Sequence, residues 1–176
     1  MPLEFIPALK RLPIFWLFLA LTLAFFAVFN WLDQPLRTAA APSGIVSYEL
    51  AGNPEAANAM RDSWDESARL AVAFGLGLDF LFMPVYATAL SLSILLAATR
   101  QRGGVWYALG KALGWGAFLA TGFDAVENIS LFYILLNTAN TPMPQLAWGC
   151  ALIKFSLLLV GIAYALFGWW LPTKQN

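Results

Sequence analysis

The residues best suited to chemistry are charged side chains inside stretches of sequence that are otherwise apolar: Asp79, Asp124, Glu127 and Lys154. An ionisable group inside a membrane helix costs several kcal/mol unless it is paired, hydrated or neutralised. Three acids and one lysine leave a formal charge of −2. We therefore expect a protonated acid, a bound cation or water beside these residues.

Helical spacing groups these charges with two further polar side chains. Asp79 and Tyr86 share one face of a helix. Asp124, Glu127 and Asn128 form an i, i+3, i+4 patch on another helix. Coupled carboxyls of this kind suit proton uptake, amine binding or stabilisation of a developing positive charge. The charges lie roughly 15 Å from the ends of their segments that face the same side of the membrane. We therefore predict one ligand-binding site formed by Asp79, Tyr86, Asp124, Glu127, Asn128 and Lys154.

A purely structural role is the alternative for these residues. In this arrangement Lys154 forms one ion pair with an Asp or Glu and holds two helices together, and the remaining acids are neutral. Lys154 could also extend toward the membrane surface, because its apolar stem lets the charged end reach water. The sequence leaves both arrangements open.

Several kinds of chemistry are excluded by composition. The chain has no histidine, the commonest ligand of haem and zinc and the commonest general base. A single cysteine, Cys150, permits neither an intrachain disulfide nor a Cys-x-x-Cys motif. Ten basic and ten acidic residues cancel, which argues against nucleic-acid binding. We expect no metal and no cofactor, and the sequence identifies no catalytic residue.

The elements that must position these residues are transmembrane helices. Of the 176 residues, 60% are hydrophobic and 11% are charged, whereas about a quarter of a soluble domain is charged. Apolar segments of about 20 residues or more are long enough to cross a bilayer. We predict an all-α, integral membrane four-helix bundle, a single domain over residues 1–176, with helices at about 13–32, 70–98, 105–136 and 143–171.

The basic residues orient this bundle. They flank the first segment, the connection between the second and third, and the end of the fourth: Lys10, Arg11, Arg100, Arg102 and Lys174. Because basic loops stay in the cytoplasm, we expect both termini there, the connection 33–69 outside, and a bacterial inner membrane or its equivalent. The first segment also has a basic flank and a downstream Ala39-Ala40-Ala41 stretch, so a cleaved signal peptide is the alternative to a retained helix.

The external connection contains a helix signal. Asn53-Pro54-Glu55 combines a capping residue, proline at the first position and an acid in the first turn. We predict an amphipathic surface helix over about 54–69. It lies on the bilayer or caps the bundle with Trp64 as its anchor, or it acts as a lid over an outward-facing cavity.

Pairs of small residues four apart favour close approach between helices. Gly110 and Gly114 form one such pair, and Ala73 and Gly77 form another. We predict packing contacts at both.

Two stretches carry a resemblance to a known family: Asn30-Trp31-Leu32-Asp33-Gln34-Pro35 and Leu78-Asp79-Phe80-Leu81-Phe82-Met83-Pro84-Val85-Tyr86-Ala87. They resemble the EXPERA superfamily, which contains the sigma-2 receptor and the emopamil-binding sterol isomerases, over about the first half of the chain. The resemblance implies four helices with cytoplasmic termini, an extended first loop, and Asp33 and Asp79 as pocket acids. The histidines of the isomerase branch are absent here, so that activity is not implied. The chain is also similar to small bacterial multipass proteins.

Together these features predict a membrane protein that binds or transforms a small lipophilic molecule, either neutral or cationic, at a buried acidic pocket. A non-catalytic subunit or assembly factor of a larger membrane complex is one alternative. A proton- or ion-coupled transporter that acts as an oligomer is another. The expected partners are the lipid bilayer, a lipophilic small molecule, and a membrane-protein partner or a second copy of the chain.

Overall fold

A computed structural model describes residues 1–100, 104–137 and 142–170. Within these ranges the chain forms helices and no β-strand. The long helices are α1 (Ala8–Leu32), α4 (Glu66–Arg100), α5 (Gly104–Leu136) and α6 (Met143–Trp170). Between α1 and α4 lie a 3₁₀ turn (Gln34–Leu36), α2 (Ile45–Glu49) and α3 (Pro54–Asp62).

The four long helices are long and apolar enough to cross a membrane, which confirms the prediction of an all-helical multipass protein. Two helices extend past the predicted segments: α1 begins at Ala8 and α4 runs from Glu66 to Arg100. Once a helix has formed, each residue added at its end gains one more backbone hydrogen bond. The helix therefore continues through polar turns beyond the apolar stretch. The bounds of α5 agree with the prediction to within one residue, and α6 begins at the predicted Met143. The predicted end of the fourth segment at 171 lies outside the described residues, as do Arg102 and Lys174.

The predicted helix over 54–69 is wrong in extent. Its start is confirmed, since Asn53 Oδ1 accepts a hydrogen bond from the Ala56 amide at 2.9 Å. However, α3 ends at Asp62 and α4 begins at Glu66. The break follows from Asp65, whose Oδ1 accepts from the Ala68 amide at 2.8 Å and caps the start of α4.

The chain divides into two compact units, and each is described by itself. Unit 1 comprises Met1–Leu23, Met83–Gly122 and Lys154–Asn176. Unit 2 comprises Ala24–Phe82 and Phe123–Ile153.

The core of unit 2 joins the connection 33–65 to the ends of α4 and α5. Trp64 is 2% exposed, and its indole nitrogen donates to the Leu36 carbonyl at 2.8 Å. The Tyr48 ring meets the Trp64 ring edge to face, with centroids 5.0 Å apart, and both pack with Val72 and Leu131. Trp64 is therefore buried within the protein and does not anchor the connection 33–65 in the bilayer. The connection instead packs against the helices of unit 2.

The interior of unit 1 brings α4, α5 and α6 into close contact. The Tyr164 ring stacks on Trp106 at a centroid distance of 4.3 Å, and its hydroxyl donates to the Trp106 carbonyl at 2.8 Å. A Cβ added at Gly110 would lie 2.5 Å from the Tyr164 hydroxyl, which confirms the predicted contact at Gly110. The prediction for Gly77 is wrong, because a Cβ there would meet nothing within 4 Å in the described structure.

Candidate functional site

The middle of α5 carries a buried polar face. Asp124 and Asn128 are each 2% exposed and Glu127 is fully buried, whereas Val126 and Ile129 on the opposite side are exposed. This is the distribution expected of a membrane helix, in which apolar side chains face lipid and ionisable side chains face protein. The i, i+3, i+4 patch predicted from the sequence is therefore present, and all three of its side chains are buried.

One hydrogen bond extends this patch to α4. The Asn128 side-chain nitrogen donates to Asp79 Oδ2 at 2.7 Å and lies 3.5 Å from the Leu76 carbonyl oxygen. Asp79 is half-buried, so it lies closer to the surface of unit 2 than Asn128 does. The structure thus brings together a carboxylate from the second apolar segment and an amide from the third.

We call Asp79, Asp124, Glu127 and Asn128 the acidic cluster. Each of its three acids has an interaction partner in the structure. A set of this composition offers carboxylate oxygens that can accept N–H donors from a cation.

Two of the predicted site residues belong to unit 1. Tyr86 and Lys154 are both buried. The Lys154 side-chain nitrogen lies 4.7 Å from the centroid of the adjacent Phe155 ring, within the range of a cation–π contact. Because Lys154 is buried, its side chain does not extend to the surface of the protein.

Asp33 lies where the chain leaves α1, and its carboxylate folds the connection that follows. Oδ1 accepts from the Ile45 amide at 2.8 Å, and Oδ2 accepts from Arg37 Nε at 3.0 Å. The approach depends on Gly44, which has a φ of +57°, and a Cβ there would lie 2.0 Å from Asp33 Oδ1. A role for Asp33 in ligand binding stays a prediction, since the contacts seen here are structural.

Sequence reasoning missed a groove at the end of unit 2 where α4 begins and α5 ends. The groove is open at the protein surface and has a volume of about 500 Å³. The acidic cluster does not line it. The available signal was the i, i+3, i+4, i+7 spacing of Glu66, Arg69, Leu70 and Ala73, which places these residues on one face of α4. The full lining is Trp64, Asp65, Glu66, Arg69, Leu70, Ala73, Leu135 and Leu136.

Metal binding finds no support in residues 1–100, 104–137 and 142–170, where no three His, Cys, Asp or Glu side chains are grouped so that they could hold an ion. The acidic cluster is thus best described as a set of carboxyls and one amide inside apolar helices. Comparison with known proteins adds no family to this description: no protein-family model, curated protein or solved structure matches the chain.

Proposed function

We propose that this multipass membrane protein binds a small lipophilic cation, for which the acidic cluster provides the counter-charge. The observation that supports the proposal is the burial of Asp124, Glu127 and Asn128 on a helix apolar enough to cross a membrane. Such burial is costly for ionised carboxylates unless positive charge or protons offset it. Near the middle of α4, α5 and α6, the acids Asp79, Asp124 and Glu127 outnumber the base Lys154, so one structural ion pair would not remove all of the negative charge.

The position of Asp79 provides a route to the cluster from the bilayer. Asp79 is half-buried, and its neighbours Phe80 and Leu81 are exposed. A molecule dissolved in the bilayer can therefore place an ammonium group against the Asp79 carboxylate while its apolar body contacts the exposed side chains. An ammonium N–H to a carboxylate is a charge-assisted hydrogen bond, which is stronger than a neutral one.

The other members of the cluster have distinct roles in this proposal. Asn128 orients the Asp79 carboxylate through its 2.7 Å hydrogen bond. Asp124 and Glu127 lie on the same buried face of α5 as Asn128 and provide two further carboxyl groups. Unit 2 by itself contains all four residues.

The test compares a cation with a neutral molecule of the same shape. The full chain, reconstituted in lipid nanodiscs, is dialysed against phenylbutyl dimethylamine or against the corresponding methyl ether. We expect saturable uptake of the amine alone, weakened at least about tenfold by Asp79→Asn and by Glu127→Gln, since each removes one charge-assisted interaction. Glu55→Gln, at an exposed acid in the first turn of α3, is the matched control and should bind normally.

Equal uptake of amine and ether, or normal binding by both cluster variants, would contradict the proposal. A stoichiometric protein partner retained in native mass measurements, without amine binding, would favour a subunit or assembly factor. Proton or cation flux in liposomes that Glu127→Gln abolishes, again without saturable amine binding, would favour a transporter.

A further inference from the structure

The groove at the end of unit 2 is polar at one end and apolar at the other. Along one face of α4 the lining changes from Glu66 and Arg69 in the first turn to Leu70 and Ala73 in the next. The last turn of α5 adds Leu135 and Leu136 beside the apolar part. Since α4 and α5 are both apolar enough to cross a membrane, we expect the apolar end to adjoin the hydrocarbon region and the polar end to adjoin the headgroups.

The structure holds Arg69 in a defined position at the polar end. Its Nε donates to the Trp64 carbonyl at 3.1 Å, while a terminal nitrogen lies 3.9 Å from Asp62 Oδ1. The side chain remains 44% exposed. A guanidinium has five N–H donors in a planar fork, so several remain for an anionic group in the groove.

The two acids at the polar end of the groove, Asp65 and Glu66, have different roles. Asp65 accepts hydrogen bonds from the Ala68 amide and the Ser67 hydroxyl and is therefore committed to capping α4. Glu66 is exposed and lies three residues before Arg69. The groove thus presents a carboxylate and a guanidinium side by side, with Asp65 adding further negative charge.

The apolar end exposes large side chains that a soluble surface would bury. Leu70 is 66% exposed and Leu136 is 67% exposed. Both line the groove with the small side chain of Ala73, so this end offers apolar contacts to a hydrocarbon chain.

We propose that this groove binds a phospholipid with a zwitterionic headgroup that ends in a primary ammonium. Arg69 donates to the phosphate, Glu66 accepts from the ammonium, and one acyl chain lies along Leu70, Ala73 and Leu136. An anionic headgroup is disfavoured because two acids outnumber one arginine. A quaternary ammonium lacks the N–H donors that Glu66 accepts, so an ethanolamine headgroup fits better than a choline headgroup.

The experiment measures which lipids the purified chain retains. The full protein is delipidated in mild detergent and then exposed to equal amounts of phosphatidylethanolamine, phosphatidylcholine and phosphatidylglycerol with identical acyl chains. Native mass spectrometry counts the bound lipids. We expect about tenfold preference for phosphatidylethanolamine over both others, reduced to about twofold or less by Arg69→Gln or Glu66→Gln.

Two further variants distinguish lipid binding in the groove from general effects of a substitution on lipid retention. Ala73→Leu narrows the apolar end without changing charge and should lower retention of phosphatidylethanolamine. Lys10→Gln removes an exposed cation in the first turn of α1 and should leave it unchanged. Equal retention of the three lipids, or unchanged retention in Arg69→Gln and Ala73→Leu, would overturn the proposal. Asp79→Asn should retain the lipid, so this result is independent of cation binding at the acidic cluster.

Discussion

The side-chain amide of Asn128 donates to Asp79 Oδ2 at 2.7 Å and thereby joins α5 to α4 inside unit 2. The bond lies between two helices that are apolar enough to cross a membrane, where water is largely excluded. The bond therefore fixes the relative rotation of two helices and also orients the one acid of the cluster that lies near the protein surface.

The first prediction concerns the energy of this bond. Asn128→Ala should lower the free energy of unfolding by about 1–2 kcal/mol, because it leaves the Asp79 carboxylate without its amide donor. The measurement is unfolding of detergent-solubilised protein by sodium dodecyl sulfate. In a double-mutant cycle with Asp79→Ala, the coupling energy should exceed about 0.5 kcal/mol. Asn30→Ala, at an exposed position of α1, is the control and should change stability little; an additive cycle would mean that the bond contributes nothing.

The second prediction concerns Trp64. Replacement by phenylalanine removes the donor to the buried Leu36 carbonyl and part of the ring that packs on Tyr48. The free energy of unfolding should fall by about 2 kcal/mol. Trp16 is 57% exposed on α1, so Trp16→Phe should cost less than about 0.5 kcal/mol. An equal decrease in the free energy of unfolding in the two variants would indicate that the contacts of Trp64 with Leu36 and Tyr48 do not stabilise the fold.

The third prediction concerns the turn that Asp33 organises. Gly44→Ala should lower the free energy of unfolding by at least about 2 kcal/mol. The alanine would adopt an unfavourable positive φ, and its Cβ would displace the carboxylate that accepts from Ile45. Gly75→Ala introduces the same methyl group inside α4, where nothing lies within 4 Å, and should change stability by less than about 1 kcal/mol. Thermal unfolding of both variants in the same detergent provides the comparison, and similar midpoints would refute the assigned strain.

The fourth prediction is a pH dependence at the start of α4. The hydrogen bond from the Ala68 amide, with a second from the Ser67 hydroxyl, holds the pKa of Asp65 below its usual value. Because the folded-state pKa is lower than the unfolded value of about 3.9, the carboxylate stabilises the fold above about pH 4. That contribution is lost as the pH falls through the folded-state pKa.

Asp65→Asn keeps a capping oxygen but removes this titration. The difference in melting temperature between the native chain and Asp65→Asn should therefore shrink as the pH is lowered from about 7 to about 3. A difference that stays constant over this range would contradict the assigned cause. Glu66→Gln, one residue later and exposed, is a control for general effects of removing an acid at this end of α4.

Local properties of the chain account for what sequence reasoning predicted correctly. Helix length and apolarity are read from consecutive residues, so the four long helices were predictable, as was the polar face at Asp124, Glu127 and Asn128. The capping oxygen of Asn53 was predictable for the same reason. The break between α3 and α4 was missed because the apolar spacing of 54–69 continues through it, while a side-chain cap at Asp65 ends that continuity.

Contacts between elements were beyond the sequence, because they depend on the rotation of each helix about its own axis and on the path of the connections. The spacing of Asn128 placed it on a polar face, but only the packing of α4 against α5 brought its amide to Asp79. In the same way the chain order does not show that Trp64 reaches the Leu36 carbonyl, 28 positions earlier. The sequence alone determined which long segments are helical and where the buried polar face of α5 lies. The tertiary structure decided which faces meet, since that depends on packing between segments distant along the chain.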